Sequence, residues 1–454
     1  MTAEEFYALR DDRTNQCARG NDYTDACIGI TIDDQAADTY AGQVAFLLLV
    51  NLTARWCRRI RLIAPRATVD RRLGFLRAGF EDLSDLALAI ARSADPFGDF
   101  DSGPATSSGW LRVHVGSGSA PDDAHRIRGS GWIALAGDTV STPEAGGDEA
   151  IGAALAACIG AAWAFRNALR DSPPLGAVRL SLWNMAGGEA AVQGPVGLET
   201  RLGLAALIGC GAVGSSMAYL LPLVNAKARL VLVDKDPVDI TNLNRSPLFF
   251  YEDFKAPKTR TLATYLRRAG FDVDDVPMWF DEALLAKRIF AERPDIVIPA
   301  ANEHGVRLAV QQQVPPIQVY GTTGRDWQAF MGRHIPQRED CLTCRFPVQA
   351  PAVPLLRCAT SAVSMPDQPV SADAALPFLS MAAAVLATAE LIKTSHPGFP
   401  QNGNFVCLDF RGPLTDFFVV QKAASPTCSV CQFQTRVWTK LNERTLFSSL
   451  SVAR

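Results

Sequence analysis

Two carboxylates one residue apart, Asp234 and Asp236, end the apolar run of LVDKDPVDITNLNRS, and Asn242 and Arg245 follow in the same stretch. Just upstream, Gly209, Gly211 and Gly214 form a Gly-x-Gly-x-x-Gly turn; downstream, Lys258 sits in KAPKTR. Between a strand and a helix, the first glycine of such a turn permits the tight bend. The second lets backbone approach phosphate oxygens, and the third lets the helix pack close to the strand with its N-terminus toward the anion. The turn suits NAD, FAD or ATP, and it also occurs as a sharp bend with no ligand. Asp234 is placed to accept from ribose hydroxyls. NAD has no need of Asp236, Asn242 or Arg245. Those residue types fit a nucleotide whose triphosphate is attacked, with Arg245 and Lys258 offsetting the charge that builds up on the phosphates. Singly, each cation reads as a solvated surface charge; jointly, behind this turn, they read as a site. Cys210, inside the turn, reads as a small buried filler.

A second chemical set is CLTC, with Cys341 and Cys344, and CSVC, with Cys428 and Cys431. Four thiolates suit a closed, tetrahedral, structural zinc site that staples the C-terminal segment to its domain. The rival readings are four unrelated buried cysteines or a redox pair, and the presence of two pairs argues against redox chemistry.

These groups need a scaffold. RLGLAALIGCGAVGSSMAYLLPLVNAKARLVLVDKD reads as strand, glycine turn, helix, strand, and RPDIVIPAANEHGVRLAVQQQ as a later strand and helix. The alternation predicts an α/β fold with a doubly wound, mostly parallel sheet. The first half repeats the grammar: ACIGITID, CRRIRLIAP, GSGWIALAG and AVRLSLWN read as strands around two apolar helical stretches. It lacks the glycine turn, because DQAADTYAGQ follows GITID. We read residues 1–199 as a degenerate copy in tandem with an intact one at 200–454. Glycine- and proline-rich connections are expected near 94–121 and 185–200. The apolar runs around 43–50, 151–165 and 377–389 are shorter than a membrane span needs and read as buried helices. A net charge of −3 leaves no electrostatic footprint for nucleic acid. The polar, acidic N-terminus does not read as a signal peptide, and eleven cysteines without one point to a reducing cytoplasm. The tail, 433–454, reads either as a docking segment or as packing.

The run GCGAVGS…LVDKDPVDITNLNRSPLF…KAPKTR resembles the adenylation domain of ubiquitin-activating-type enzymes, the superfamily of the ThiF and MoeB sulfur-carrier activators, over about residues 200–432. The resemblance implies a Rossmann-like sheet that binds ATP with magnesium, and a structural zinc on the four cysteines. It also implies adenylation of the C-terminal glycine of a ubiquitin-like protein, with release of pyrophosphate. Where the family carries Asp-x-x-Asp-Asn, this chain has Pro299 at the first acid and Asn302 at the magnesium position. Either Asn302 holds the metal, helped by Asp234 or Asp236 and with Glu303 beside it, or the domain binds ATP and adenylates poorly; activity is the expectation. LLRCATSAVSMP is similar to the family's crossing-loop phrase. It makes Cys358, beside Arg357, the candidate thioester nucleophile, against the alternative that the loop cysteine is dispensable. Cys158 and Cys407 lie in apolar elements, and Cys17, Cys27 and Cys57 read as bystanders.

In the eukaryotic enzymes of this superfamily an inactive half pairs with an active one and typically lends it an arginine, whereas the sulfur-carrier activators pair two identical copies. The resemblance therefore implies a pseudo-dimer within one chain, with Arg10 or Arg13 of YALRDDRTNQ as the donor and Arg13 the choice for the ATP site. The tandem plan resembles the activating enzymes of compact bacterial ubiquitin-like conjugation systems, many of which serve antiphage defence. Their partners are a ubiquitin-like protein and a conjugating enzyme. The alternatives are a sulfur-carrier, peptide or tRNA-base adenylyltransferase, a non-catalytic ATP-binding scaffold, or an NAD oxidoreductase.

Overall fold

The computed structural model describes residues 1–18, 21–104, 109–141, 144, 146–170, 175–301, 304–324, 327–345, 375–396 and 402–446. Two eight-stranded sheets share one plan. The first contains β1 (Cys27–Ile32), β2 (Arg59–Ile63), β3 (Asp99–Ser102), β4 (Leu111–Val115), β5 (His125–Ser130), β6 (Ile133–Ala136), β7 (Val178–Ser181) and β8 (Ala186–Gly187). The second contains β9 (Thr200–Ile208), β10 (Ala226–Val233), β11 (Asp272–Val276), β12 (Ile296–Pro299), β13 (Gln318–Thr323), β14 (Gln328–His334), β15 (Phe405–Asp409) and β16 (Phe418–Val420). The spatial orders are β3-β2-β1-β4-β5-β6-β7-β8 and β11-β10-β9-β12-β13-β14-β15-β16. In both, the first five strands of that order are parallel and the remainder pair antiparallel. The direction of winding reverses between β1 and β4 and between β9 and β12, where a doubly wound sheet opens its ligand crevice.

The sequence explains a difference between the halves. β9 ends in LAALI and β10 in LVLV, apolar and buried on both faces. In the first half β2 reads RIRLI, and its arginines are only half-buried on the outer side. An alternating strand has one covered face; a continuous apolar run has two. One expectation is corrected here: the stretch 94–121, expected as a loose connection, contains β3 and β4. Glycine, serine and charged residues obscure both strands: DFDS has a single buried position, and LRVHV interleaves its apolar residues with an arginine and a histidine.

Four helices fill the space between the sheets: Tyr40–Ala54 and Ala150–Ala168 from the first half, Ala212–Leu223 and Pro377–Thr394 from the second. They are apolar nearly all round and nearly wholly buried, as expected of helices with no solvent face. Among the described residues, Ala150–Ala168 and Pro377–Thr394 are long and apolar enough to cross a membrane, but 89% and 100% of their apolar windows are buried inside the protein. The apolar core runs through both halves.

The core also encloses charge. Glu390, on the helix Pro377–Thr394, accepts from Arg333 and, at 2.9 Å, from Lys393. Arg333 Nε also donates to Glu339 at 2.9 Å. Burial alone would raise the Glu390 carboxyl, but Lys393 and Arg333 outweigh it and hold its pKa below the usual carboxylate range. The folded state thus binds this proton more weakly than the unfolded chain. The stabilisation is full above a pH of about 4.3 and is lost as pH falls through the folded value. Glu390→Ala strands the buried Lys393 ammonium and leaves Arg333 with Glu339 alone, so denaturant titration at pH 7 should show a loss of about 3–5 kcal/mol. The deficit should shrink on acidification as the wild type loses the same contribution.

Candidate nucleotide site

β9 ends at Ile208 and the chain enters the glycine turn at the carboxyl edge of the sheet. The three glycines do three different things. Gly209 has φ +92°, and a Cβ there would lie 2.5 Å from the Ala301 nitrogen. Gly211 begins the helix Ala212–Leu223, and a Cβ there would meet no atom within 4 Å. Gly214 does not line the cavity; a Cβ there would lie 2.0 Å from the Gly209 carbonyl oxygen, so it sets the helix against the turn.

A cavity of about 280 Å³ opens above this turn. Gly209, Gly211, Asp234, Asp236, Asn242, Arg245, Lys258 and Arg13 all line it. Asp234 accepts from the Cys210 and Asp236 backbone N–H groups at 2.7 and 2.8 Å. Burial raises its pKa, opposed by Lys258 and by these two donors. For Asp236, burial is outweighed by Lys258 (3.0 Å) and Lys235 (3.1 Å), which hold the carboxylate below its ordinary range. Lys258 is nearly buried and is the first residue of the helix Lys258–Arg268. A cation is disfavoured at a helix N-terminus, so its place there is explained by the groups it faces rather than by helix stability. Asn242 closes a capping box with Asp239, accepting from the Asp239 N–H at 2.9 Å. Arg245 Nη1 donates to the Asn244 side chain at 2.7 Å.

Of the two N-terminal arginines, Arg13 lines the cavity and Arg10 does not. Arg10 is fully buried in ion pairs with Asp95 at 2.5 Å and Asp11 at 2.6 Å. Three lining residues that sequence reasoning missed, Met278, Trp279 and Phe280, follow β11. Trp279 is 46% exposed, with the Lys235 ammonium 3.7 Å from its ring centre. The usable signal was a tryptophan directly after a strand that ends on the same sheet edge as Asp234. The acids of DVDDV concealed that strand. Asn302, Glu303, Arg357 and Cys358 lie outside the described residues. Cys210 is buried, and burial holds its thiol well above the ordinary range.

The first half has a cavity at the corresponding edge, and there Asp33 follows β1 where Gly209 follows β9. Asp33 accepts from Ala36 N at 2.7 Å and Gly118 N at 2.6 Å. An internal carboxylate thus takes backbone donors at the position where the glycine turn presents them in the second half.

The four knuckle cysteines converge. Sγ–Sγ separations are 3.7 Å for Cys341–Cys344, 3.7 Å for Cys341–Cys428 and 3.6 Å for Cys344–Cys431. All four sulfurs lie within 4.8 Å of one another. A tetrahedron with Zn–S of about 2.3 Å has edges of about 3.8 Å, so the donor set fits zinc. It would supply a closed cross-link rather than a catalytic position. Cys428 and Cys431 start the helix Ser429–Asn442, whose Trp438 is buried while Phe433 and Leu441 remain exposed, as does Leu446 beyond it. Magnesium has no such set: Asp234 and Asp236 are the carboxylates among the described lining residues, and both are engaged.

The fold and cavity define a doubly wound α/β protein with a candidate nucleotide site at its switch point. Residues 202–430 match the ThiF family, and residues 27–182 match the BilD N-terminal domain. The chain belongs to the ThiF family of adenylyltransferases. It is 26% identical over 413 residues to the bacterial E1-like protein BilD of Collimonas sp. (strain OK412), covering 81% of this chain and 82% of that protein. It is 26% identical over 329 residues to the uncharacterized protein y4jF of Sinorhizobium fredii (strain NBRC 101917 / NGR234), covering 70% of this chain and 60% of that one. The crystal structure of E. coli MccB with ATP aligns with a TM-score of 0.38 and 18% identity, over 50% of this chain and 67% of that one.

Gly211→Ala places a methyl group in open space, so it should leave the melting temperature unchanged while lowering ATP affinity about tenfold or more. Gly214→Ala should lower the melting temperature because its methyl group meets backbone. Elemental analysis should find about one zinc per chain. Chelation or Cys431→Ser should free the helix Ser429–Asn442, read as a red shift in Trp438 emission against a Trp438→Phe control.

Proposed function

We propose that this protein adenylates the C-terminal carboxylate of a small ubiquitin-like protein at the expense of ATP. The observation that carries the reading is one cavity in which the glycine turn, Asp234, Asn242, Arg245 and Lys258 of the second half meet Arg13 of the first. Family membership supports the reaction class. Similarity to an E1-like protein along most of the chain supports a ubiquitin-like substrate.

The ribose hydroxyls lie against Asp234, the adenine against Trp279, Met278 and Phe280, and the triphosphate over Gly211. A substrate carboxylate oxygen attacks the α-phosphorus. The bond to the bridging oxygen breaks, and pyrophosphate departs with the electron pair, leaving an acyl adenylate. Arg245, Lys258 and Arg13 stabilise the charge that shifts onto the leaving oxygens. Asp236 holds the Lys258 ammonium against the cavity wall. Magnesium bound to ATP would screen the phosphates; Asn302 is its proposed ligand. Cys358 is the proposed acceptor of the acyl group, forming a thioester as AMP leaves, ahead of transfer to a conjugating enzyme.

ATP–pyrophosphate exchange should require a partner ending in glycine and should fall about a hundredfold or more in Arg245→Ala and Lys258→Ala. A non-reducing gel should show a thioester that Cys358→Ala abolishes while exchange persists. Exchange that ignores the partner's terminal glycine would contradict the ubiquitin-like substrate. Absence of ATP binding would contradict the reaction class.

A further inference from the structure

We infer that Arg55, a first-half residue outside the cavity, is a positioning residue that holds the second-half loop carrying Asn242 and Arg245. The inference rests on reading the cavity as an ATP site, but its physical basis is separate. Arg55 caps the C-terminal end of the helix Tyr40–Ala54 and is 0% exposed. Its Nη1 donates to the Leu243 carbonyl at 2.6 Å and to the Phe249 carbonyl at 3.1 Å. Its Nη2 donates to the Pro247 carbonyl at 2.9 Å, and its Nε to the Asn51 side chain at 2.8 Å. Asn51 in turn donates to the same Pro247 carbonyl at 3.1 Å. The loop thus curls around one guanidinium, which binds it at three carbonyls.

These partners are carbonyls, not carboxylates. Burying a cation among neutral dipoles costs several kcal/mol unless every donor is matched, and an apolar side chain would fill the same space without that cost. Stability alone therefore explains the residue poorly, whereas geometry explains it well. A planar fork of donors fixes the directions of several acceptors at once, which a compact ammonium cannot do. Burial pushes the Arg55 pKa down to about 9, which leaves it charged at neutral pH.

The held peptides are those that aim the site. Leu243 precedes Asn244, whose side chain accepts from Arg245 and donates to Thr14 Oγ1 at 3.2 Å. Thr14 adjoins Arg13. The first half therefore grips the loop twice, at its backbone through Arg55 and at a side chain through Thr14, while Arg13 lines the cavity itself. The degenerate half would act on nucleotide chiefly by fixing where Arg245 stands.

Arg55→Lys and Arg55→Met test this, with Arg166→Met as control. Arg166 is another buried first-half arginine; it donates to a second-half carbonyl, that of Phe410, away from the cavity. The measurements are hydrogen exchange of amides 243–249 without nucleotide, ATP affinity by calorimetry, and melting temperature. We expect both Arg55 variants to exchange these amides faster and to bind ATP about tenfold or more weakly, the scale of one lost buried hydrogen bond. Arg166→Met should lose melting temperature and keep its ATP affinity. If Arg55→Met fails to fold, Arg55→Lys still decides. Wild-type exchange rates and affinity in the Arg55 variants would overturn the inference and leave the proposed function standing. If the wild type itself binds no ATP, the function falls, and exchange at 243–249 still decides the role of Arg55.

Discussion

Four helices without a polar face govern this structure. Tyr40–Ala54, Ala150–Ala168, Ala212–Leu223 and Pro377–Thr394 can satisfy their surfaces only against sheets and against one another. Burying an apolar side chain fully contributes roughly 1.5–3 kcal/mol, so exposing even part of this layer would exceed the net stability of a typical domain. The two sheets must therefore close over it from opposite sides. The halves share an apolar core, and neither could leave the other without uncovering it.

That constraint has a functional result. Once the sheets are fixed, the first half can reach the carboxyl edge of the second. Tyr40 donates to the Leu223 carbonyl at 2.9 Å, Arg55 holds the loop 243–249, and Arg13 lines the cavity. The duplicated sheet order shows a repeated unit, yet the two edges now differ in chemistry. Behind β9 a glycine turn presents amides to the cavity. Behind β1 the Asp33 carboxylate already accepts from such amides. Each half has a carboxylate that takes backbone donors, Asp33 behind β1 and Asp234, on the Cys210 amide, behind β10, while behind β9 the turn glycines Gly209 and Gly211 also line the cavity.

Much of the site was legible because it is written at fixed local spacing. The glycine turn, Asp-x-Asp and the cysteine pairs each occupy a few consecutive residues whose roles follow from strand–turn–helix geometry or from tetrahedral ligation. The double-sheet plan was legible from recurring apolar runs. What escaped was encoded across distance. Arg10 and Arg13 are indistinguishable as residues, and what holds Arg10 in the core is its pairing with Asp11 and with Asp95, contributed from the end of the distant helix Leu83–Ala94. Trp279 was hidden because three of the five residues of β11 are acidic. Strands β3 and β4 were hidden because polar residues interrupt them: DFDS buries one position, and in LRVHV a histidine sits between the two buried valines. Arg55 gave no signal, since its partners in the second half are the backbone carbonyls of Leu243, Pro247 and Phe249, which no side-chain pattern reveals.

The central claim is that groups from both halves converge on one bound ATP. A crystal structure of the protein with ATP or a non-hydrolysable analogue tests it most directly. The triphosphate should lie above Gly211, within hydrogen-bonding reach of Arg245, Lys258 and Arg13, and the ribose on Asp234. A nucleotide seated beside Asp33 instead, or one whose phosphates turn away from those three cations, would contradict it.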